Sequence, residues 1–437
     1  MADVQPFRGL RYDPEKVGDL DLVVSPPYDV IDRALQDELY RRSPYNLVRV
    51  DFGKGFRGDG ETENRYTRAA STFRAWLAGG ILVRDDAPSL YYLEEDYRDD
   101  LGGPRTRKGF VAAVKLEDPD SGLYRPHEKT LAGPKADRLE LMCACEANLS
   151  PIFALYDDPA HAVLRGLEAA ASQGPPLSAV TAADATVTRL WRVTDVALLE
   201  AVSGAMRGKS FFIADGHHRY ETALSYRDLR RRAASRLTGA EPWNAVMMYL
   251  TNLWAPGLTV FPTHRVVHGL EGFRAPEFLV RLAEHFEVTE VGGSEALLEA
   301  MRKSRREGHA LGLAAHGDDR LWVLRLRDLG VMDRLLEGRA PAVLRTLDVT
   351  VLHSLILERL LGIDEKAQEE QTHLRYVKGS GELLRVVREE DVQVGFLLNP
   401  TRIEEVKAVA EQGERMPQKS TFFYPKLATG LLLNPLW

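Results

Sequence analysis

The sequence predicts a mixed α/β chain of the α+β class, and three observations predict it. Short apolar runs of strand length, such as Phe211-Phe212-Ile213-Ala214 and Ala245–Leu250, alternate with longer stretches of helical three-to-four spacing. Gly, Pro and Asn-Pro signals stand between them. The apolar fraction of 44% and charged fraction of 28% are those of an ordinary globular protein. A length of 437 residues calls for two domains or three. The expected division is an N-terminal α/β segment over 1–125, a central core over 126–267 and a C-terminal α/β segment over 268–437.

The totals exclude several classes. A net charge of −7 argues against a general nucleic-acid binder. Cys143 and Cys145 are the only cysteines, so a Cys-rich zinc site is out of reach, and they read as a reduced pair in a cytosolic protein. Met1 to Tyr12 is polar and charged, unlike a signal peptide. No apolar run approaches the length of a membrane span. The expectation is a cytoplasmic protein with no membrane partner.

In the N-terminal segment, Leu22-Val23-Val24 reads as a short strand and Pro26-Pro27 as an extended turn after it. That turn either presents Tyr28 and Asp29 to a cleft or is a plain surface turn before a helix at Asp32–Arg42. Tyr45–Phe52 alternates as a strand. The Gly-rich loop from Gly53 to Gly60 is no Walker loop, because no Gly-Lys-Ser/Thr ends it. Glu61–Leu77 is an amphipathic helix stopped by Gly79-Gly80. Ser89–Glu95 and Lys108–Lys115 read as two strands joined by a charged loop, a hairpin with a long tip.

The core segment opens on Pro126-His127-Glu128-Lys129-Thr130. His127 and Glu128 have no apolar neighbours to bury them. They form either a candidate acid–base pair or part of a solvent-exposed charged loop. Asp137–Cys145 follows as a helix, Ser150–Tyr156 as a strand, His161–Ser172 as a helix, Thr186–Val193 as a strand and Asp195–Met206 as a helix.

The stretch from Lys209 to Leu224 carries the strongest chemical signal. Asp215-Gly216 breaks the strand at 211–214, and from His217 the spacing of Tyr220, Ala223 and Leu224 is helical to about Arg232. His217, His218 and Arg219 therefore stand on the first turn of a helix that follows a strand. The N–H groups and dipole of that turn favour an anion, and two imidazoles and a guanidinium add donors suited to phosphate. Asp215 falls at the cap position, where its oxygens can bond first-turn N–H groups or hold a metal. The pattern reads as a phosphate cradle with a carboxylate beside it. Farther on, His264-Arg265 is either a second titratable pair or a rim of surface charge.

The C-terminal segment contains helices at Ala275–His285, Ser294–Glu307, Met332–Glu337, Val349–Gly362 and Gly379–Glu389, with strands at Ala310–Ala315, Leu321–Leu326, Gln371–Val377 and Val392–Leu398. Thr401 is the expected cap of a helix running to Gly413. Lys419, Ser420 and Thr421 then offer one cation and two hydroxyls, able to bind a carboxylate or phosphate or simply to begin a C-terminal strand.

The motifs PFRGLRY, SPPYDVI, PHEKT, ADGHHRYETAL and MPQKSTFFYPKL resemble, along essentially the whole chain, a large prokaryotic family catalogued as a domain of unknown function. Three of them also look like motifs of the free serine kinases, of the ParB/sulfiredoxin-like superfamily, which phosphorylate free L-serine to O-phosphoserine. The matching residues are Pro126-His127-Glu128, Asp215-Gly216-His217-His218-Arg219 and Pro417-Gln418-Lys419-Ser420-Thr421. The chain is longer than a stand-alone serine kinase, and the interval between Glu128 and Asp215 requires an insertion relative to one. The resemblance implies a ParB/sulfiredoxin-like core with additional N- and C-terminal α/β segments, the last returning a motif strand at 416–426 to the site. It implies Glu128 as general base with His127 beside it, and Asp215 as its catalytic companion. Gly216, His217, His218 and Arg219 would hold the nucleotide phosphates, and Lys419, Ser420 and Thr421 would lie near a small amino-acid substrate. Mg2+ with ATP or ADP is the implied cofactor set. The competing expectation is a non-catalytic regulator that senses a nucleotide or other ligand through the same cradle. No cysteine occupies Asp215–Arg219, which argues against sulfiredoxin-like thiol chemistry.

Overall fold

The computed structural model describes residues 3–99, 102–118, 121–122, 124–126, 132–305, 308–417 and 419–437. The chain divides into two units, and each is taken by itself. One is built from Met1–Pro126, Thr130–Thr259 and Pro425–Trp437, and the described part of the other is Val260–Tyr424.

The first unit is organised on a nine-stranded sheet. Its strands are β1 (Val4–Gln5), β2 (Leu90–Arg98), β3 (Pro104–Lys115), β4 (Tyr124–Pro126), β5 (Ile152–Tyr156), β6 (Ser178–Thr181), β7 (Val187–Val193), β8 (Phe211–Asp215) and β9 (Ala245–Asn252). Their order is β4-β8-β5-β9-β3-β2-β7-β6, with β1 also pairing β3. β8 runs parallel to β4 and β9 parallel to β5, while the other pairs are antiparallel. The hairpin β2–β3 is longer than the sequence suggested. Residues expected in its loop continue the ladder as far as Arg98 opposite Pro104.

The unit's longer helices are α1 (Arg33–Arg42), α2 (Arg65–Ala78), α3 (Ala132–Cys145), α4 (Ala162–Ala171), α5 (Val196–Met206) and α6 (His217–Ala233). One face of the sheet, through Tyr92, Phe110, Ile152, Ala154, Ile213 and Leu250, shares a core with Leu164, Leu167, Val202, Met206, Tyr220 and Ala223 of α4, α5 and α6. The other face is buried too, which is why the central strands read as unbroken apolar runs. There Arg107 and Glu95 form a fully buried pair at 2.6 Å, with the guanidinium 4.6 Å from the Phe153 ring centroid.

The PFRGLRY motif is structural. Arg11 Nε donates to Asp85 Oδ1 and the Tyr91 hydroxyl to Asp85 Oδ2, at 2.8 and 2.7 Å. The Gly9 N–H donates to the Tyr91 hydroxyl at 2.8 Å, and a Cβ on Gly9 would stand 2.4 Å from Leu432 and 2.7 Å from that hydroxyl.

Two expected strands are helical turns instead. Leu20–Leu22 is a short 3-10 helix capped by Asp19, and Val48–Asp51 is a helical turn. Asn46 explains both. Its side-chain amide donates to the carbonyls of Leu22 and Val24, while its Oδ1 accepts from the Val48 N–H. Such local side-chain bonds compete with a ladder.

The second unit carries a six-stranded antiparallel sheet. Its strands are β10 (Thr263–Val267), β11 (Phe286–Val291), β12 (Ala310–Ala315), β13 (Leu321–Leu326), β14 (Leu374–Lys378) and β15 (Val394–Leu397), in the order β11-β13-β12-β15-β10-β14. One core joins Phe278, Phe286, Leu324 and Phe396 to a ten-residue π-helix, Val351–Leu360. On another, Leu297, Leu383, Val387 and Leu397 pack together. The last helix, Ile403–Glu411, starts after Arg402 rather than Thr401. The Thr401 hydroxyl is used elsewhere, donating to the Ser420 carbonyl at 2.8 Å.

Candidate functional site

The candidate site lies in the first unit where β8 gives way to α6. Phe211–Ala214 are buried and hold the strand in the sheet. Its pairing with β5 shifts register between Ile213 and Asp215. Such bulges re-aim a strand's last side chain. Gly216 then turns the chain at φ +90°, a conformation open to glycine and strained for other residues. A Cβ at this position would also stand 2.9 Å from Arg219 Nε.

This turn corrects one expectation. Gly216, not Asp215, is the N-cap of α6, and no side chain among the described residues caps that helix. Asp215 remains extended at the strand end, so its oxygens serve side chains. Oδ2 accepts from Arg219 Nη2 at 2.9 Å and Oδ1 from Lys426 Nζ at 2.7 Å. Arg219 is held a second time by donating through Nη1 to the Pro151 carbonyl. Burial would push the Asp215 carboxyl up. Lys426, Arg219 and His217 outweigh that and hold it well below the usual carboxylate range. His217 is buried and His218 half-buried on the same first turn.

Lys426 is the residue that sequence reasoning missed. It lies 211 positions from Asp215. The signal that could have found it is its place in MPQKSTFFYPKL, the motif that drew attention to Lys419.

Beside Arg219 sits a second charged group. Arg138 of α3 donates to the Asp51 carbonyl and carboxylate at 2.8 and 3.2 Å and pairs with Asp137 at 2.6 Å. Its guanidinium lies 4.1 Å from the Tyr28 ring centroid. The SPPYDVI segment therefore puts Tyr28 on a cation, while Asp29 stays exposed. Burial pushes the Tyr28 hydroxyl up to about 12, against the opposing pull of Arg219 and Arg138. Burial also raises the Asp51 carboxyl, with Arg138 and Arg219 pulling it down. Asp51 Oδ2 has no hydrogen-bond partner among the described residues. A cavity of about 40 Å3 lined by Asp51, Arg138, Asn148, Ser150, Arg219 and Thr222 adjoins this group.

The other candidates fall elsewhere. His127 and Glu128 lie outside the described residues, as does Gln418. Lys419, Ser420 and Thr421 belong to the second unit. Lys419 has φ +56°, and the buried Ser420 hydroxyl donates to the Pro417 carbonyl at 2.5 Å. His264 and Arg265 are not a surface rim. Both are buried on β10, a strand covered on both faces. His264 Nδ1 accepts from the Leu398 N–H at 3.2 Å, and burial, with Arg265 beside it, lowers its pKa to about 4.

Among the described residues no group of three or more His, Cys, Asp or Glu side chains is arranged to hold a metal. Both Asp215 oxygens already face cations, a poor donor set for Mg2+. The cluster instead offers fixed positive charge at a helix start, which is chemistry for an anion. No helix among the described residues is long and apolar enough to cross a membrane.

The chain belongs to the family described as "Protein of unknown function (DUF1015)", whose model matches residues 4–350. No curated protein matches it. Among solved structures it is similar to a free serine kinase in complex with AMP, at 14% identity over 74% of this chain and 92% of that one, with TM-score 0.33. It is also similar to a conserved hypothetical protein from Pyrococcus furiosus, at 15% identity, 74% and 95% coverage and TM-score 0.33. A third is SbnI with C-terminal truncation from Staphylococcus aureus, at 13% identity, 74% and 87% coverage and TM-score 0.34.

Proposed function

We propose that this chain is a nucleotide-dependent phosphotransferase acting on the hydroxyl of free L-serine or a similar small compound. The observation that carries the reading is the start of α6, which no side chain among the described residues caps, with Arg219 and Lys426 fixed beside it on the two oxygens of Asp215. Nucleotide phosphates rest on the first-turn N–H groups, and Arg219 and the two histidines face their charge. Asp215 positions the two cations rather than acting as a base, because a carboxylate held this far below its usual range takes up no proton near neutrality. Phosphoryl transfer needs mostly positioning and charge stabilisation, and a prearranged pair of cations supplies both. The motif resemblance assigns the remaining role, general base toward the acceptor hydroxyl, to Glu128. It also implies a ParB/sulfiredoxin-like core.

The test is phosphorus NMR of the purified protein with Mg2+, ATP or ADP, and a panel of free amino acids and small alcohols. O-phosphoserine forms with wild type. It disappears in Glu128→Gln while nucleotide binding persists. Saturable nucleotide binding without turnover on any acceptor, lost in Arg219→Ala, would establish the sensing regulator instead.

A further inference from the structure

The SPPYDVI segment has no role in the function proposed above, yet the fold carries it to the Asp215 cluster. Ser25 pairs antiparallel with Thr429, through backbone bonds of 3.0 and 2.8 Å. The chain leaving Ser25 toward Tyr28 therefore runs beside the chain that leads back from Thr429 to Lys426. Lys426 is the residue bonded to Asp215 Oδ1 at 2.7 Å. All of these residues belong to the first unit.

Tyr28 is fixed in place. Pro26 and Pro27 precede it, and Pro27, at φ −58° and ψ 147°, opens the short 3-10 turn Tyr28–Val30. The ring lies 4.1 Å from the Arg138 guanidinium and 6.3 Å, centroid to centroid, from Phe52. Arg138 is itself held by Asp51 and Asp137, at 3.2 and 2.6 Å. A tyrosine oxygen lies on the axis of its ring, so holding the ring also sets where the oxygen points.

That oxygen is unused. Tyr28 is half-buried, and among the described residues its hydroxyl is neither hydrogen-bonded nor sealed from solvent. Of the charges that act on the hydroxyl, Arg219 is the strongest, ahead of Arg138 under the ring, so the oxygen end is turned toward Arg219. Burial pushes its pKa up to about 12, and it keeps its proton near neutrality. It is therefore a donor and not a base. A neutral O–H set beside a guanidinium suits an anion, since the cation supplies charge and the hydroxyl a directed bond.

We propose that the Tyr28 hydroxyl donates a hydrogen bond to a phosphate oxygen of the nucleotide held by Arg219 and the first turn of α6. Tyr28 is then a ligand-contacting residue of that site. The assignment rests on the phosphate cradle of the proposed function and not on its transfer step.

The test is titration calorimetry of the full chain, wild type and Tyr28→Phe, with ADP, pyrophosphate and adenosine. Phenylalanine keeps the ring on Arg138 and Phe52, and the variant melts like wild type. ADP and pyrophosphate affinities fall about tenfold, as for one lost hydrogen bond to a charged group. Adenosine, which has no phosphate, behaves alike with both proteins; a merely structural role would not discriminate in this way. Phosphorus NMR on the same proteins separates the two claims. No product from any acceptor, with pyrophosphate binding that depends on Tyr28, removes the kinase reading and supports this one. Product with unchanged ADP and pyrophosphate affinity in Tyr28→Phe overturns this assignment and leaves the kinase reading. Wild type that binds neither ADP nor pyrophosphate overturns both.

Discussion

Replacing Lys426 by methionine isolates the charge that the last stretch of the first unit, Pro425–Trp437, brings to Asp215. Methionine keeps the apolar stem and removes the ammonium. What is lost is the 2.7 Å bond from Nζ to Asp215 Oδ1. A hydrogen bond to a charged group contributes about 1.5–3 kcal/mol. The two side chains are 17% and 21% exposed, so solvent screens part of this, and about 1.5–2 kcal/mol is the expected loss. For a unit of this size each kcal/mol shifts the midpoint by about 2–4 °C, giving a fall of about 3–8 °C. The same substitution removes one of two fixed cations, and ADP affinity falls about tenfold, the equivalent of about 1.4 kcal/mol. Differential scanning fluorimetry reads the first effect and calorimetry with ADP the second. Lys426→Arg, which restores the charge, recovers most of both. A midpoint within about 1 °C of wild type together with unchanged ADP affinity would refute the claim that Lys426 is part of the site.

Four further outcomes follow from the same geometry. Gly216→Ala forces a side chain into φ +90° and against the Arg219 guanidinium; it lowers stability by about 1–2 kcal/mol and weakens ADP binding, both measurable by the assays above. Arg219→Ala removes the bonds to both Asp215 and Pro151, and ADP affinity drops about tenfold or more; unchanged affinity by calorimetry removes the cradle. Asp215 has a depressed folded pKa, so its contribution is complete above the unfolded value of about 3.9 and is lost as pH falls below it; the melting difference between wild type and Asp215→Asn shrinks between about pH 4 and pH 2. His264 is neutral when folded with a pKa of about 4, so its stabilisation is present above about pH 6.5 and is lost as pH falls toward 4; His264→Gln flattens that acid limb in a melting series.

Much of the local structure was legible from residues alone. Ala310–Ala315 and Leu321–Leu326 are strands with the predicted bounds, because continuous apolar runs between turn signals suit a buried strand. The helix starting at His217 follows the strand at Phe211 as its spacing required. The failures share a cause. Tyr45–Phe52 alternates like a strand, yet Asn46 ties its own backbone into a turn. Asp215 looks like a cap, yet two cations take its oxygens and glycine makes the turn. His264-Arg265 looks like surface charge, yet both are buried on β10, because charge type alone does not report burial when hydrogen-bond partners wait in the fold.

By itself, the sequence determined the mixed α/β class, the strand-to-helix corner and the cationic character of its first turn. Those depend on side-chain period and on glycine's access to positive φ, which are properties of neighbouring residues. Only the tertiary structure decided that Lys426 meets Asp215, that Arg138 sits between Tyr28 and Asp51, and that Arg265 meets His353. These pairings join residues far apart in the chain. Whether a carboxylate is a cap, a base or a counter-ion depends on which charges the packed core brings within a few ångströms of it.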